Sequence, residues 1–194
     1  MSGYITGLIL AGGMGRRMGQ RDKGLQLFRG KPMAQWAIER LKPQVDSILI
    51  NANQNAEAYA AFGYPVVADQ VQGFAGPLAG LHAGLLECTT PLLVTVPCDS
   101  PFLPLDLVAR LRAALEANNA KLAVAKTGDQ PHPVFSLVRR EVLDSLTGFL
   151  VTGGRKIETW YAALKVVEVP FEDVQAFANI NTLEELNLLS GEQS

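Results

Sequence analysis

The sequence predicts an α/β protein, a single-domain, Rossmann-like three-layer sandwich built on a mostly parallel mixed sheet. Three observations carry that reading. Its strand-like runs are continuously apolar rather than alternating, as expected of strands covered on both faces. These runs alternate with helical segments along most of the chain, the pattern of parallel crossover connections. The first run also delivers the chain straight into a glycine-rich loop, where an open α/β sheet holds its ligands.

Tyr4 to Leu10 reads as the first buried strand, through Ile5, Leu8, Ile9 and Leu10. Met33 to Leu41 reads as a helix with Pro32 at its first turn, where a missing N–H is harmless. Ser47 to Asn51 is a second strand, Asn55 to Phe62 a second helix and Pro65 to Ala68 a third strand. Leu78 to Glu87 is an apolar helix, and Leu92 to Val96 a continuously hydrophobic strand. Leu105 to Ala117 is the clearest amphipathic helix, with Leu107, Val108, Leu111 and Leu115 on one face. Leu122 to Lys126 and Val134 to Val138 are further strands, with Gly128-Asp129 turning between them. Beyond them, Arg139 to Leu150, Arg155 to Leu164 and Lys165 to Val169 are less regular. Gly148 and the pair Gly153-Gly154 suggest an inserted or mobile segment there.

The chain has 194 residues, of which 48% are hydrophobic and 19% charged, too apolar and too weakly charged for a disordered chain. No repeat or linker divides it, so one domain over residues 1–194 is expected. The longest uncharged stretch, near Gly73 to Leu86, is broken by Pro77 and four glycines, so no membrane span is expected. No secretory signal is visible, and Cys88 and Cys98 form neither a disulfide framework nor a metal knuckle. A cytoplasmic protein is the expectation. Charge is uneven: residues 1–31 hold Arg16, Arg17, Arg21, Lys23, Arg29 and Lys31 against Asp22 alone. A basic cluster among glycines suggests a small polyanionic ligand. An overall pI near 5.7 argues against nucleic acid, and a solvated basic loop is the plainer alternative.

The loop itself reads LAGGMGRRMGQRDKGL from Leu10 to Leu25. Glycines let backbone N–H groups approach a phosphate, and arginines add forked donors. A dinucleotide fingerprint starting at Gly13 and Gly15 meets Met18 where a third glycine is needed, and Gln20 stands where a P-loop needs lysine. It is a phosphate loop of another kind. With RGKP at Arg29 to Pro32, it resembles the signature of nucleotidyltransferases of the nucleotide-diphospho-sugar transferase fold. Within that group it resembles the molybdenum cofactor guanylyltransferases. GPLAG at Gly76 to Gly80, PCDSPFLP at Pro97 to Pro104 and NINTLEEL at Asn179 to Leu186 extend the resemblance in order, and His132-Pro133 also fits.

The resemblance implies attack by the terminal phosphate of molybdopterin on the α-phosphorus of GTP, expelling pyrophosphate, with residues 1–104 binding the nucleotide and 105–194 the acceptor. It implies that Leu10, Ala11, Gly12 and Gly13 line the nucleotide pocket, while Arg17 and Lys23 hold the triphosphate. It implies that Asn51, Asp69, Gly76, Pro77 and Gly80 contact the nucleotide, with Gly80 opening space at a helix start. From sequence alone, Asn51 and Asp69 read equally as Asx turns at one sheet edge. Asp99 closes a buried strand, where an unpaired carboxylate is costly without a cation, and Mg²⁺ is the expected partner. Cys98 beside it reads as a small buried hydrophobe, and Ser100 could cap a short turn.

Asn179 and Asn181 stand where related sugar enzymes often present a metal-binding Asp; as amides they are expected to orient the acceptor phosphate. Arg155 and Lys156 resemble a basic pair near the pterin, with a solvated helix start as the alternative. Thr182 with Glu185 is a capping box. His132 reads as a packing or turn residue, since a phosphate nucleophile needs no base. The expected partners are GTP and molybdopterin, with other cofactor-biosynthesis proteins and apo-molybdoenzymes as further contacts. A cytidylyltransferase, a sugar-1-phosphate nucleotidyltransferase and a non-catalytic GTP sensor are the competing readings, although the sugar enzymes usually carry GxGTR where this chain has Gly13-Met14-Gly15-Arg16-Arg17.

Overall fold

The computed structural model describes residues 4–12, 22–71, 76–180 and 185. Its strands are β1 (Ile5–Leu10), β2 (Leu27–Phe28), β3 (Lys31–Pro32), β4 (Ser47–Asn51), β5 (Val66–Val67), β6 (Leu92–Pro97), β7 (Leu122–Thr127), β8 (Gln130–Arg139) and β9 (Val166–Phe171). Its helices are α1 (Met33–Leu41), α2 (Ala56–Ala60), α3 (Pro77–Glu87), α4 (Leu107–Ala117), α5 (Leu143–Val151) and α6 (Ile157–Ala162). Seven strands form one sheet in the order β5-β4-β1-β6-β8-β7-β9. The pairs β1–β4, β1–β6, β4–β5 and β7–β9 are parallel; β8 alone runs against its neighbours β6 and β7.

Side chains of each strand alternate between two cores, which is why its sequence is apolar throughout. Ile5 and Ile9 of β1 join Val94 and Val96 of β6 beneath α1, α2 and α4, through Ile38, Tyr59 and Leu111 among others. Leu8 and Leu93 face the other way, against Leu81 and Leu85 of α3, Leu146 and Leu150 of α5 and Trp160 of α6. The three predicted layers are present. Glycine lets helix and strand close up: a Cβ on Gly84 of α3 would stand 2.5 Å from Leu8 Cδ2.

Four details differ from expectation. Pro32 ends β3 and immediately precedes α1 instead of lying in its first turn. The two-residue strands β2 and β3 form a hairpin through Arg29 and Gly30, both at positive φ (49° and 76°), a geometry that matches strand twist. β8 begins at Gln130, ahead of the predicted Val134, although Pro131 and Pro133 lie within it. Its pairing with β6 starts only at Ser136, so the earlier part has an open side where a missing N–H breaks no ladder. The late glycines punctuate a helix pair instead of a loose insertion: Gly148 lies inside α5, and Gly153 (φ 87°) follows its end. Buried Leu146, Leu150 and Trp160 fasten this pair to the sheet.

Between α3 and α5, the buried His82 meets Thr147 across 3.0 Å. Thr147 Oγ1 gives its only proton to the Leu143 carbonyl at 2.9 Å, so His82 Nε2–H is the donor between them. Nδ1 is then a buried lone pair without a hydrogen-bond partner. Burial pushes this imidazole below its ordinary value, and does the same to His132. The folded state therefore binds fewer protons than the unfolded chain, and stability falls as pH drops through the unfolded value of about 6.5. Urea midpoints at pH 7.5 and 5.5 should show this loss. His82→Leu should flatten it in part, with His132 supplying the remainder; an unchanged slope in that variant would exclude His82 as a source.

Candidate active site at the carboxyl edge of the sheet

Strand order reverses between β1 and β6, since the chain proceeds outward through β4 and β5 before returning to β6. At such a switch point the loops diverge and leave a crevice beyond the strand ends. Leu10 is opposite both Asn51 and Pro97 in register. The ladder extends one step further, with Ala11 N donating to Asn51 O at 2.8 Å and Cys98 N to Leu10 O at 3.1 Å. The residues that end or follow β1, β4 and β6, namely Ala11, Asn51 and Cys98 with Asp99 after it, thus stand side by side at this edge.

Asn51 is 2% exposed, and its amide donates to Asp69 Oδ1 at 2.9 Å and to the Val67 carbonyl at 3.2 Å. Asn53 completes the arrangement: its amide donates to Asp69 Oδ2 at 2.9 Å, while its Oδ1 accepts from Asp69 N–H at 2.9 Å. The Asp69 carboxylate is thereby held by two amides, with lone pairs left over for a ligand. Gly12 lies against this cluster, where a Cβ would stand 2.9 Å from both Asn51 Oδ1 and Asn53 Nδ2. The role of Gly80 differs from expectation. The room it provides is occupied by Asn51 Oδ1 and Leu10 Cδ2, both within 3.0 Å of where its Cβ would be. Gly76 and Pro77 are exposed at the start of α3, with Pro77 in its first turn, where the absent N–H leaves no bond unmade.

On the other side of β1, Lys23 Nζ stands 3.2 Å from Asp99 Oδ2 across 76 positions of sequence. The Asp99 side chain is 10% exposed and that of Lys23 23%. Burial raises the Asp99 carboxyl above the ordinary aspartate value, with Lys23 working in the opposite direction. Burial therefore outweighs the lysine at this carboxyl. No cluster of three or more His, Cys, Asp or Glu able to hold a metal occurs among the described residues. Asp99 is the residue here that could hold a Mg²⁺, an ion that takes one or two carboxylates and fills its shell with phosphate oxygen and water. Cys98 is buried, and burial raises its thiol well above the ordinary value, in keeping with an inert hydrophobe.

The 179–180 segment reaches this edge too: Ile180 N donates to Asp99 O at 3.0 Å, and Ser100 Oγ is hydrogen-bonded to Asn179 Oδ1. Asn179 is thus beside Asp99. Ser100, fully buried, is used in this bond. His132 stacks on Phe177 at 4.8 Å and pairs with Thr127 Oγ1 at 2.7 Å, a packing role as expected. Arg155 and Lys156 are exposed just before α6, which packs on the α3 side of the sheet. Gly13, Arg17, Asn181 and Thr182 of the capping box lie outside the described residues. Sequence reasoning passed over Asn53, Asp22 and Tyr59. For Asn53 a signal existed, since it stands two residues beyond Asn51, where the chain leaves β4.

A lysine beside a buried carboxylate, next to an aspartate held by two amides at one sheet edge, is an arrangement suited to a nucleotidyltransferase. Residues 7–168 match the MobA-like NTP transferase domain, and the chain belongs to that family. It is 57% identical to a molybdenum cofactor guanylyltransferase of Cupriavidus metallidurans, covering 97% of this chain and 96% of that one. It is 56% identical to the protein of that name from Ralstonia pickettii, covering 96% of each. Among solved structures, the molybdopterin-guanine dinucleotide biosynthesis protein A of Archaeoglobus fulgidus superposes with a TM-score of 0.80 at 24% identity, over 96% of this chain and 97% of that one. The 4-diphosphocytidyl-2C-methyl-D-erythritol synthase of Anaerococcus prevotii gives 0.74 at 14% identity, over 97% of each. These structural likenesses establish the nucleotide-diphospho-sugar transferase type of fold. No helix among the described residues is long and apolar enough to cross a membrane.

Proposed function

We propose that the protein transfers GMP from GTP to the terminal phosphate of molybdopterin, forming molybdopterin guanine dinucleotide and releasing pyrophosphate. The observation that carries the reading at this site is the Lys23–Asp99 pair at the β1/β6 switch point. A phosphate oxygen of the acceptor forms a bond to the α-phosphorus of GTP as the bond to the bridging β-oxygen breaks, and pyrophosphate carries away that electron pair. Both partners are anions, so positioning and charge compensation supply most of the catalysis.

Lys23 holds the triphosphate and the departing pyrophosphate, with Arg17 contributing from the same loop. Leu10, Ala11, Gly12 and Gly13 present backbone to the nucleotide. Asn51 and Asp69, with the α3 start at Gly76 and Pro77, receive the base and ribose, while Gly80 keeps Asn51 in place. A carboxylate held in the orientation of Asp69 can accept the paired N–H donors of guanine. Asp99 would hold Mg²⁺, which when bound offsets phosphate charge and polarises the attacked phosphorus. Asn179, Asn181, Arg155 and Lys156 serve the acceptor. The reaction belongs in the cytoplasm, with other cofactor-biosynthesis proteins and apo-molybdoenzymes as its protein contacts.

Thermal shifts with each nucleoside triphosphate and Mg²⁺ test the base preference. GTP at 100 times its Kd should add about 2.7 kcal/mol, and stronger stabilisation by CTP or UTP would replace the guanylyl reading with another transferase. Pyrophosphate release on adding molybdopterin is expected to follow. GTP binding without release would identify a sensor instead.

A further inference from the structure

Lys23 projects from a single 3-10 turn, Lys23–Leu25, closed by only two backbone bonds, from Leu25 N to Asp22 O (3.3 Å) and Gln26 N to Lys23 O (3.1 Å). The turn is anchored from outside through Asp22. Its carboxylate collects the Gly24 N–H at 3.2 Å, the Asn55 amide at 3.0 Å and the Tyr59 hydroxyl. The last two come from α2 and the residue before it, which is in the left-handed region at φ 53°. Tyr59 is fully buried. Burial, then Cys98 and Asp22, push its phenol far above the ordinary range, so it remains a donor. Gly24 lies flush against the same wall: a Cβ there would fall within 3.0 Å of Tyr59 Oη and 3.2 Å from Cys98 Sγ. The turn is therefore gripped between α2 and the residue preceding Asp99.

Lysine has a long, flexible side chain, so the placement of its ammonium depends on how firmly its backbone is held. Misplacement of a reacting or binding group by about 1 Å can cost about 100-fold in rate. We infer that Tyr59, acting through Asp22, is a positioning residue that sets where the Lys23 ammonium meets Asp99 and the triphosphate. The inference rests on the triphosphate role of Lys23 given above.

The test measures GTP affinity by calorimetry, with Mg²⁺ present, in the wild type, Tyr59→Phe, Lys23→Ala and the double variant. Tyr59→Phe removes one hydroxyl and keeps the ring, and should weaken GTP binding about tenfold, the scale of a lost hydrogen bond to a charged group. In the Lys23→Ala background the same change should shift Kd less than twofold, because the group being positioned is gone. Equal losses in both backgrounds, or no loss in the wild type, would overturn the inference and reduce Tyr59 to a core residue. Unchanged affinity in Lys23→Ala would instead refute the role of the lysine. Should Tyr59→Phe fail to fold, Asn55→Gly gives the same comparison from the exposed side: it removes a donor to Asp22 while accepting positive φ, and an approximately threefold loss dependent on Lys23 is expected.

Discussion

Asp99→Asn should lower turnover by about three orders of magnitude and leave the chain folded, a loss of the size seen when a preorganised electrostatic group is removed. Shape is conserved in this substitution and only charge is lost. Burial opposes the charged carboxylate at this position, so the neutral amide relieves a desolvation cost. Lys23 loses its partner at 3.2 Å, but its side chain is 23% exposed and water can share the charge. The stability change should therefore remain within about 1 kcal/mol. Pyrophosphate release and a thermal melt separate the two effects. The variant should also lose the Mg²⁺-dependent part of its stabilisation by GTP. Full turnover would remove Asp99 from the chemistry, and a collapsed melt would make it a structural residue.

What the sequence conveyed, and what it withheld, follows from how each feature is encoded. β1, β4 and β6 were legible because strands buried on both faces must be apolar at successive positions. The direction of β8 against β7 was legible from the short Gly128-Asp129 turn, which joins only antiparallel strands. Its insertion beside β6 was not, since any buried strand there has the same apolar demand. Its first residues were hidden by Pro131 and Pro133, which are tolerated only because that stretch lacks a β6 neighbour. The β2–β3 hairpin has two-residue strands, too short for any periodicity. Leu10, Gly12, Lys23, Asn51, Asp69 and Asp99 could be nominated because they end strands or occupy motifs, and the fold brings them to one edge. Tyr59 and Asp22 act through other residues, and their contact spans 37 positions that no local pattern connects. Gly80 stands out in its motif, but its effect on Asn51 is a matter of three-dimensional packing.

Gly80→Ala provides the sharpest test of that packing, because two opposed terms meet at one methyl group. Helix propensity favours alanine over an interior glycine by about 1 kcal/mol. Here the new Cβ would fall within 3.0 Å of Asn51 Oδ1 and Leu10 Cδ2. The helix has little freedom to retreat, since Leu78, Leu81 and Leu85 are all buried on the same core. Overpacking of this kind costs about 1–3 kcal/mol, so a net loss of up to about 2 kcal/mol is expected. The larger effect should be on ligand binding. Asn51 has to move, its 2.9 Å bond to Asp69 is broken, and GTP affinity should fall at least about tenfold, the scale of one lost charge-assisted hydrogen bond. Gly148→Ala is the control, since it also lies inside a helix but has nothing within 4 Å of the added methyl. It should stabilise the chain by up to about 1 kcal/mol and leave GTP affinity unchanged. If both variants stabilise the chain equally and bind GTP alike, Asn51 is not held by Gly80, and the nucleotide cleft does not depend on the close approach of α3 to β1.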